Sequence, residues 1–150
     1  MGDHRSGDRA RLGEGSSSVI YGADTSVVLR LLTGEPTEAC ARATRRLLFE
    51  HQRKNTVIVT DLVIAEAYFA LKHHYGAEPA AIRGMLLAML TSGLVRAERG
   101  SAAIAILRDG AAGKAGFVDR LIDGRHREAG AVTLTLDKAQ AKLRNAERIE

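Results

Sequence analysis

The stretch that decides the fold spans residues 19–32 and reads Val19-Ile20-Tyr21-Gly22-Ala23-Asp24-Thr25-Ser26-Val27-Val28-Leu29-Arg30-Leu31-Leu32. Its apolar start predicts a short strand over residues 19–23, and the pattern after Asp24 predicts a helix over residues 25–33. A carboxylate between a strand and a helix stands at the edge of an open α/β sheet where ligands bind. The same position suits a helix N-cap, because Asp accepts hydrogen bonds from the first helical amides.

Strand and helix patterns alternate along the rest of the chain. We predict strands over residues 56–60, 94–97 and 131–136, and helices over residues 37–53, 61–74, 79–91, 101–108, 117–128 and 138–144. A small-residue loop is expected over residues 109–116, and Ile149 is a candidate for an edge strand. This alternation predicts an α/β domain whose parallel sheet is covered by helices on both faces.

The composition sets limits on domain number, location and partners. The 150 residues are 45% hydrophobic and 27% charged, which is typical of a soluble globular protein. Residues 1–18 are polar with balanced charges, so we expect a disordered leader before a single domain over residues 19–150. The lone Cys40 fits a reducing cytoplasm, and no apolar run approaches the ~20 residues of a membrane span. The net charge of +4 is compatible with a polyanionic partner.

Glu66 lies in a segment that is apolar nearly all round, Leu62-Val63-Ile64-Ala65-Glu66-Ala67-Tyr68-Phe69-Ala70-Leu71. We therefore expect this helix to be packed on several sides. No basic residue stands three or four positions from Glu66, and burying an unpaired carboxylate is costly. The alternative is a glutamate on the one exposed stripe of the helix. We favour a metal ligand or a general base.

Three aspartates join Glu66 at the same predicted edge of the sheet. Asp137 follows the strand predicted over residues 131–136. Asp119 lies in the first turn of the helix predicted over residues 117–128. Taken singly, capping explains Asp24 and Asp137, and the helix dipole explains Asp119. Together, three or four carboxylates repel one another unless a divalent cation lies between them. Such an all-oxygen site suits Mg²⁺ or Mn²⁺.

Other charged residues receive structural interpretations. We assign Asp61 to helix capping, with an accessory role at the site left open, and Asp123 to intrahelical pairing with Arg120 and Arg127. A solvated face, rather than a phosphate track, is our interpretation of the basic side chains near the second helix: Arg42, Arg45, Arg46, Arg53 and Lys54.

Four stretches, in order and spacing, resemble the PIN-domain nucleases and, within them, the VapC-like toxins of toxin–antitoxin pairs. They are Asp24-Thr25-Ser26-Val27-Val28-Leu29-Arg30-Leu31-Leu32, Thr60-Asp61-Leu62-Val63-Ile64-Ala65-Glu66, Phe117-Val118-Asp119-Arg120-Leu121-Ile122 and Thr133-Leu134-Thr135-Leu136-Asp137. The resemblance covers residues 19–143. Two positions depart from the family pattern: Gly116 stands where the family often has an aspartate, and Asp123 where it usually has a small neutral residue.

The resemblance implies a three-layer α/β/α sandwich whose central parallel sheet has the strand order 3-2-1-4-5. It implies Mg²⁺-dependent cleavage of RNA phosphodiesters by an activated water, with Mn²⁺ as the alternative ion and with 5′-phosphate and 3′-hydroxyl ends. It also implies homodimers and inhibition by a small VapB-like antitoxin. The catalytic, metal-binding residues that it implies are Asp24, Glu66, Asp119 and Asp137; the residues that orient phosphate or ligand oxygens are Thr25, Ser26 and Thr135.

Rival interpretations have weaker support in the sequence. A phosphorelay receiver domain needs an adjacent acidic pair after its first strand, where this chain has one aspartate. A catalytic cysteine is likewise unsupported: Cys40 lies in an Ala- and Arg-rich helix, and the sequence shows no group that would lower the pKa of its thiol. His73 and His74 are adjacent on a helix, point to different faces and make poor zinc co-ligands. The remaining alternative is a PIN-like module that binds RNA or protein without cutting.

Overall fold

The computed structural model describes residues 18–109 and 115–150. The leader predicted over residues 1–18 therefore lies outside the described residues except for Ser18. Most of the loop predicted over residues 109–116 lies outside them as well.

The first sheet is parallel and has the strand order β1-β2-β3. Its strands are β1 (Ile20–Gly22), β2 (Thr56–Val59) and β3 (Arg96–Ala97). Ile20 lies opposite Thr56 in the register of β1 and β2. The central strand buries Val57 and Val59, as its β-branched sequence predicts. Strand β3 is shorter than the strand predicted over residues 94–97, because only Arg96–Ala97 pair with β2.

The second sheet is also parallel and pairs β4 (Thr133–Thr135) with β5 (Ala146–Arg148). The α/β class is confirmed. We predicted one sheet in the order 3-2-1-4-5, and the described residues contain its two parts as separate sheets, with no pairing between β1 and β4 among them. The strands β1 and β4 are each only three residues long, and each leaves an apolar side chain exposed, Ile20 in β1 and Leu134 in β4.

Helices connect the strands. They are α1 (Thr25–Thr33), α2 (Thr37–Gln52), α3 (Asp61–His73), α4 (Pro79–Leu90), α5 (Ala103–Asp109) and α6 (Phe117–Glu128). Gly34 ends α1 in the left-handed conformation, with φ of 72°. The helix predicted over residues 138–144 is wrong: a 3₁₀ turn spans only Gln140–Lys142, because Leu143 is already extended as the chain enters β5.

The core lies between the first sheet and the helices. Helix α3 is central, because it packs against α1, α4 and α6. The largest fully buried side chains are Val28, Val59, Ile64, Leu71, Ile82, Leu86, Val95 and Thr133. Within the described ranges, no helix combines the length and apolarity needed to cross a bilayer.

Candidate active site

Asp24 lies directly after β1 and forms the N-cap of α1, as the sequence predicts. Its Oδ1 accepts hydrogen bonds from the Val27 amide at 3.1 Å and from the Ser26 hydroxyl at 2.6 Å. The Ser26 hydrogen bond, followed by that of Val27, holds the pKa of Asp24 below its ordinary value. The side chain is exposed, and Oδ2 has no hydrogen bond to any described residue. Asp24 is therefore ionised at neutral pH and keeps one oxygen for a ligand.

Glu66 and the residue after Asp24 meet across two helices. Thr25 on α1 donates its hydroxyl hydrogen to Oε1 of Glu66 on α3, at 3.0 Å. Helix α3 is packed on several sides, as the sequence predicts, against α1, α4 and α6. Glu66 itself is not buried: it lies on the exposed stripe of the helix, as in the alternative interpretation, together with Phe69 and with Leu62, which is 72% exposed. Leu62 and Phe69, four residues before and three residues after Glu66, share the outer face of α3 with it. Thr25, rather than burial, fixes this carboxylate.

Asp119 and Asp137 are connected through Gln140. The Gln140 side chain donates to the backbone carbonyl of Asp119 at 3.5 Å and accepts from the Thr135 hydroxyl at 3.2 Å. Its backbone amide donates to Oδ1 of Asp137 at 3.1 Å, beside the Ala139 amide at 2.6 Å. Asp137 thus takes the predicted capping position. Its Oδ2 and the whole Asp119 carboxylate have no hydrogen bond within residues 18–109 and 115–150.

An aromatic contact joins α3 and α6, the helices that carry Glu66 and Asp119. The rings of Tyr68 on α3 and Phe117 on α6 lie 5.2 Å apart between centroids. Tyr68 is two residues from Glu66, and Phe117 is two residues from Asp119. The two helices are therefore adjacent at this level, although Glu66 and Asp119 point to other faces than the contacting rings, because residues two apart on a helix do not share a face.

Three of the four predicted carboxylates are exposed and Asp119 is half-buried. Each of the four lacks an ion pair in the described part of the chain, whereas other acidic residues beside α6 are paired with arginine. Carboxylate oxygens are the donors that Mg²⁺ prefers, so the donor type fits this ion. The described residues contain no group of three or more His, Cys, Asp or Glu side chains arranged to hold a metal ion. Two sets of hydrogen bonds connect the segments that carry the four carboxylates: Thr25, next to Asp24, holds Glu66, and Gln140 joins the Asp137 carboxylate to the Asp119 backbone.

A buried polar cluster adjoins the site at the ends of β2 and β3. The assignment of Asp61 to capping is wrong: Thr60 caps α3 by accepting from Val63, and Asp61 is 6% exposed. The Asp61 carboxylate accepts from Ser101 and lies 3.7 Å from Nε of Arg125 on α6. Burial raises its pKa, as does the nearby Glu98, while the Ser101 hydrogen bond and the Arg125 charge lower it.

Arg125 also lies 3.8 Å from Oε1 of Glu98. The Asp61 backbone amide donates to the other Glu98 oxygen. Oδ2 of Asp61 and Nη1 of Arg125 are buried without a hydrogen-bond partner. These charges join the start of α3, the β3–α5 connection and α6, the same helices that present Glu66 and Asp119.

Asp123 has the structural role that the sequence predicts, with a different set of partners. Arg127 contacts its Oδ2 at 3.1 Å, and the Thr133 hydroxyl donates to its Oδ1 at 2.7 Å. The predicted pairing with Arg120 is not observed; Arg120 contacts Asp109 at 2.7 Å. Asp123 is buried and attaches β4 to α6, so it is not free to bind a ligand.

Sequence reasoning missed Gln140 and Arg125. The spacing Asp-x-x-Gln from residue 137 resembles a capping box and gave a local signal for Gln140, but its contact with Asp119 spans 21 residues. For Arg125 the sequence offered only its place on α6. No protein-family model, curated protein or solved structure matches the chain.

Proposed function

We propose that the chain is a Mg²⁺-dependent endoribonuclease with a PIN-like fold, in which the strand order 3-2-1-4-5 joins the two sheets into the centre of a three-layer sandwich. We further propose that it is the toxin of a VapBC-type pair, acting in the cytoplasm as a homodimer and inhibited by a small VapB-like antitoxin. The observation behind the nuclease proposal is the set of four carboxylates, Asp24, Glu66, Asp119 and Asp137, which lack ion pairs within the described residues of a chain with 22 Lys and Arg.

The proposed roles follow from the hydrogen bonds of each side chain. Asp24 and Asp119 would hold Mg²⁺, or Mn²⁺, directly, and Asp137 directly or through water. The ion would supply electrostatic stabilisation of the charge that develops on the phosphate and would lower the pKa of a water. Glu66, held by Thr25 through Oε1, keeps Oε2 to orient the attacking water or accept its proton.

The other hydroxyls of the site position the carboxylates. Ser26 fixes Asp24 through Oδ1. Thr135 accepts a hydrogen bond from the Asp137 amide and donates to Gln140, so it fixes the loop that presents Asp137. Ser26 is exposed and could also contact a substrate phosphate oxygen in this proposal, whereas Thr135 is buried and acts only through Asp137 and Gln140.

The decisive experiment incubates wild type and Asp24→Asn with total cellular RNA and Mg²⁺ and maps the ends of the products. We expect wild type to leave 5′-phosphate and 3′-hydroxyl ends and Asp24→Asn to be inactive but folded, because Asn also caps helices well. The matched control is Glu147→Gln, which changes an exposed carboxylate on β5 and should leave cleavage unchanged. Full activity in excess EDTA, or cyclic-phosphate ends, would contradict the mechanism.

A second candidate is a PIN-like module that binds RNA or protein without cutting. This alternative is favoured by the observation that the described residues contain no group of three or more His, Cys, Asp or Glu side chains that could hold a metal ion. It predicts that wild type binds RNA, leaves it intact in Mg²⁺ and Mn²⁺, and behaves as Asp24→Asn does.

A further inference from the structure

A cavity of about 500 Å³ lies between α5 and α6, outside the four-carboxylate site. Small residues, Ala102, Ala105 and Gly124, line one part of it, and Leu143 and Arg144 close another. The two helices approach closely here, because a Cβ built on Gly124 would lie 2.9 Å from that of Ala102. The volume falls within the ~300–1,000 Å³ range of small-ligand sites and is sufficient for one nucleotide.

The charge of this cavity is positive. Arg120, Arg127 and Arg144 line it, against two aspartates, Asp109 and Asp123. Asp123 is buried and accepts a hydrogen bond from Thr133, so its carboxylate is already bound within the protein. The cavity wall therefore has one more arginine than carboxylates, and one of those carboxylates faces away from solvent.

Two of the arginines have donors left for a ligand. Arg127 contacts Asp123 through Nη2 alone, and its side chain is 62% exposed, so most of its five N–H donors remain for other partners. Arg144 is exposed and has neither an ion pair nor a side-chain hydrogen bond to a described residue. A guanidinium with free donors is the preferred protein partner of phosphate oxygens.

The cavity and the proposed catalytic site share α6, because Arg120, Asp123, Gly124 and Arg127 line the cavity and Asp119 belongs to the same helix. Asp119 directly precedes Arg120, and Arg127 follows two turns later. With a rise of 1.5 Å per residue, Arg127 lies about 12 Å along the helix from Asp119. An RNA strand whose scissile phosphate lies at Asp119 would pass the cavity within a few nucleotides.

We propose that this cavity holds a backbone segment of the RNA strand next to the scissile bond, with Arg127 and Arg144 binding its phosphate oxygens. The inference rests on the proposed function, because it takes RNA as the substrate. Phosphate contacts position a nucleic acid without reading its sequence. The cavity therefore contributes affinity and register, and cleavage preference arises elsewhere.

The test measures binding separately from cleavage. Fluorescence anisotropy is followed for a labelled 12-nucleotide single-stranded RNA on Asp24→Asn protein, which holds the strand intact, over a series of salt concentrations. The added substitution is Arg144→Glu, and its matched control is Arg42→Glu on α2, an exposed arginine distant in sequence from the cavity. Arg127→Gln is a second variant, and thermal unfolding checks that each protein is folded.

Arg144→Glu should weaken RNA binding about tenfold for every sequence tried, and should reduce the slope of log K against log salt by about 0.7 for the lost contact. Arg127→Gln should act in the same direction, and Arg42→Glu should change affinity less than twofold. Equal effects of Arg144→Glu and Arg42→Glu would overturn the inference. So would an absence of RNA binding, or tighter binding of a poly-glutamate peptide than of RNA at this cavity.

The outcome is distinguishable from failure of the proposed function. If wild type does not cleave RNA but Arg144→Glu selectively loses binding, the nuclease proposal fails and the cavity assignment stands. If wild type cleaves and Arg144→Glu binds and cleaves like Arg42→Glu, the cavity assignment fails alone.

Discussion

Replacing Arg125 by methionine should destabilise the protein in a pH-dependent way. The guanidinium is the cation nearest to two acidic side chains, Asp61 at 3.7 Å and Glu98 at 3.8 Å. Methionine preserves much of the side-chain volume and removes the charge. Asp61 would then remain buried, with its Ser101 hydrogen bond intact but no arginine charge beside it.

The expected loss follows from these distances. Two unit charges 3.7 Å apart attract by about 4 kcal/mol at an effective dielectric constant of about 20. The Arg125 side chain is 39% exposed, so solvent screens part of this attraction. We expect the free energy of unfolding at pH 7 to fall by about 2 kcal/mol, which for a chain of this length lowers the melting temperature by roughly 4–8 °C.

The loss should shrink in acid. Burial raises the pKa of Asp61 in the folded protein, and removing Arg125 raises it further. A carboxyl group whose pKa is raised in the folded state binds its proton more tightly there than in the unfolded state. Its ionised form therefore destabilises the folded protein, and this effect disappears as the pH falls through the raised pKa. Protonated Asp61 is neutral, so the charge of Arg125 no longer stabilises it. The difference between wild type and Arg125→Met should therefore be largest near pH 7 and smaller near pH 4.

Chemical denaturation at both pH values provides the measurement, with Arg108→Met, an exposed arginine on α5, as the matched control. The double variant Asp61→Asn/Arg125→Met should recover part of the lost stability, because no buried charge remains. A loss that is the same at pH 7 and pH 4, or no greater than that of Arg108→Met, would refute the reasoning.

Three further predictions concern the site and the helix packing. Thr25→Val should lower Mg²⁺-dependent cleavage by about 10- to 100-fold through loss of the hydrogen bond to Glu66; Thr25→Ser should retain activity, and equal rates for the two variants would contradict this. Gly124→Ala should cost about 1–3 kcal/mol in unfolding free energy, because its methyl group would overlap that of Ala102, directly before α5; Gly84→Ala, which meets open space, is the control. The lowered pKa of Asp24 should stabilise the fold at neutral pH and stop doing so as the pH falls through that pKa; acid titration of wild type beside Asp24→Asn should show the stability difference shrinking below about pH 4.

The local elements were largely readable from the sequence. Periodicity and the residues at helix ends placed the first strand, the helices around it and the cap at Asp24, because these depend on contacts within a few residues. The same local logic failed for Glu66. The apolar neighbours correctly predict a helix packed on several sides, but the sequence does not reveal that Glu66, Leu62 and Phe69 lie on its exposed face.

Which charges are neutralised was decided only by the tertiary structure. Asp61 and Asp24 both follow strands, so local sequence gave them the same capping role. Arg125 reaches Asp61 from 64 positions along the chain, whereas Asp24 meets no cation among the described residues. The sequence by itself determined the alternation of strands and helices and the order of the acidic residues. Which of them are paired with arginine, as Asp61 is, and which are not, as Asp24 is not among the described residues, required the tertiary structure, because electrostatic pairing depends on distance in space and not on separation along the chain.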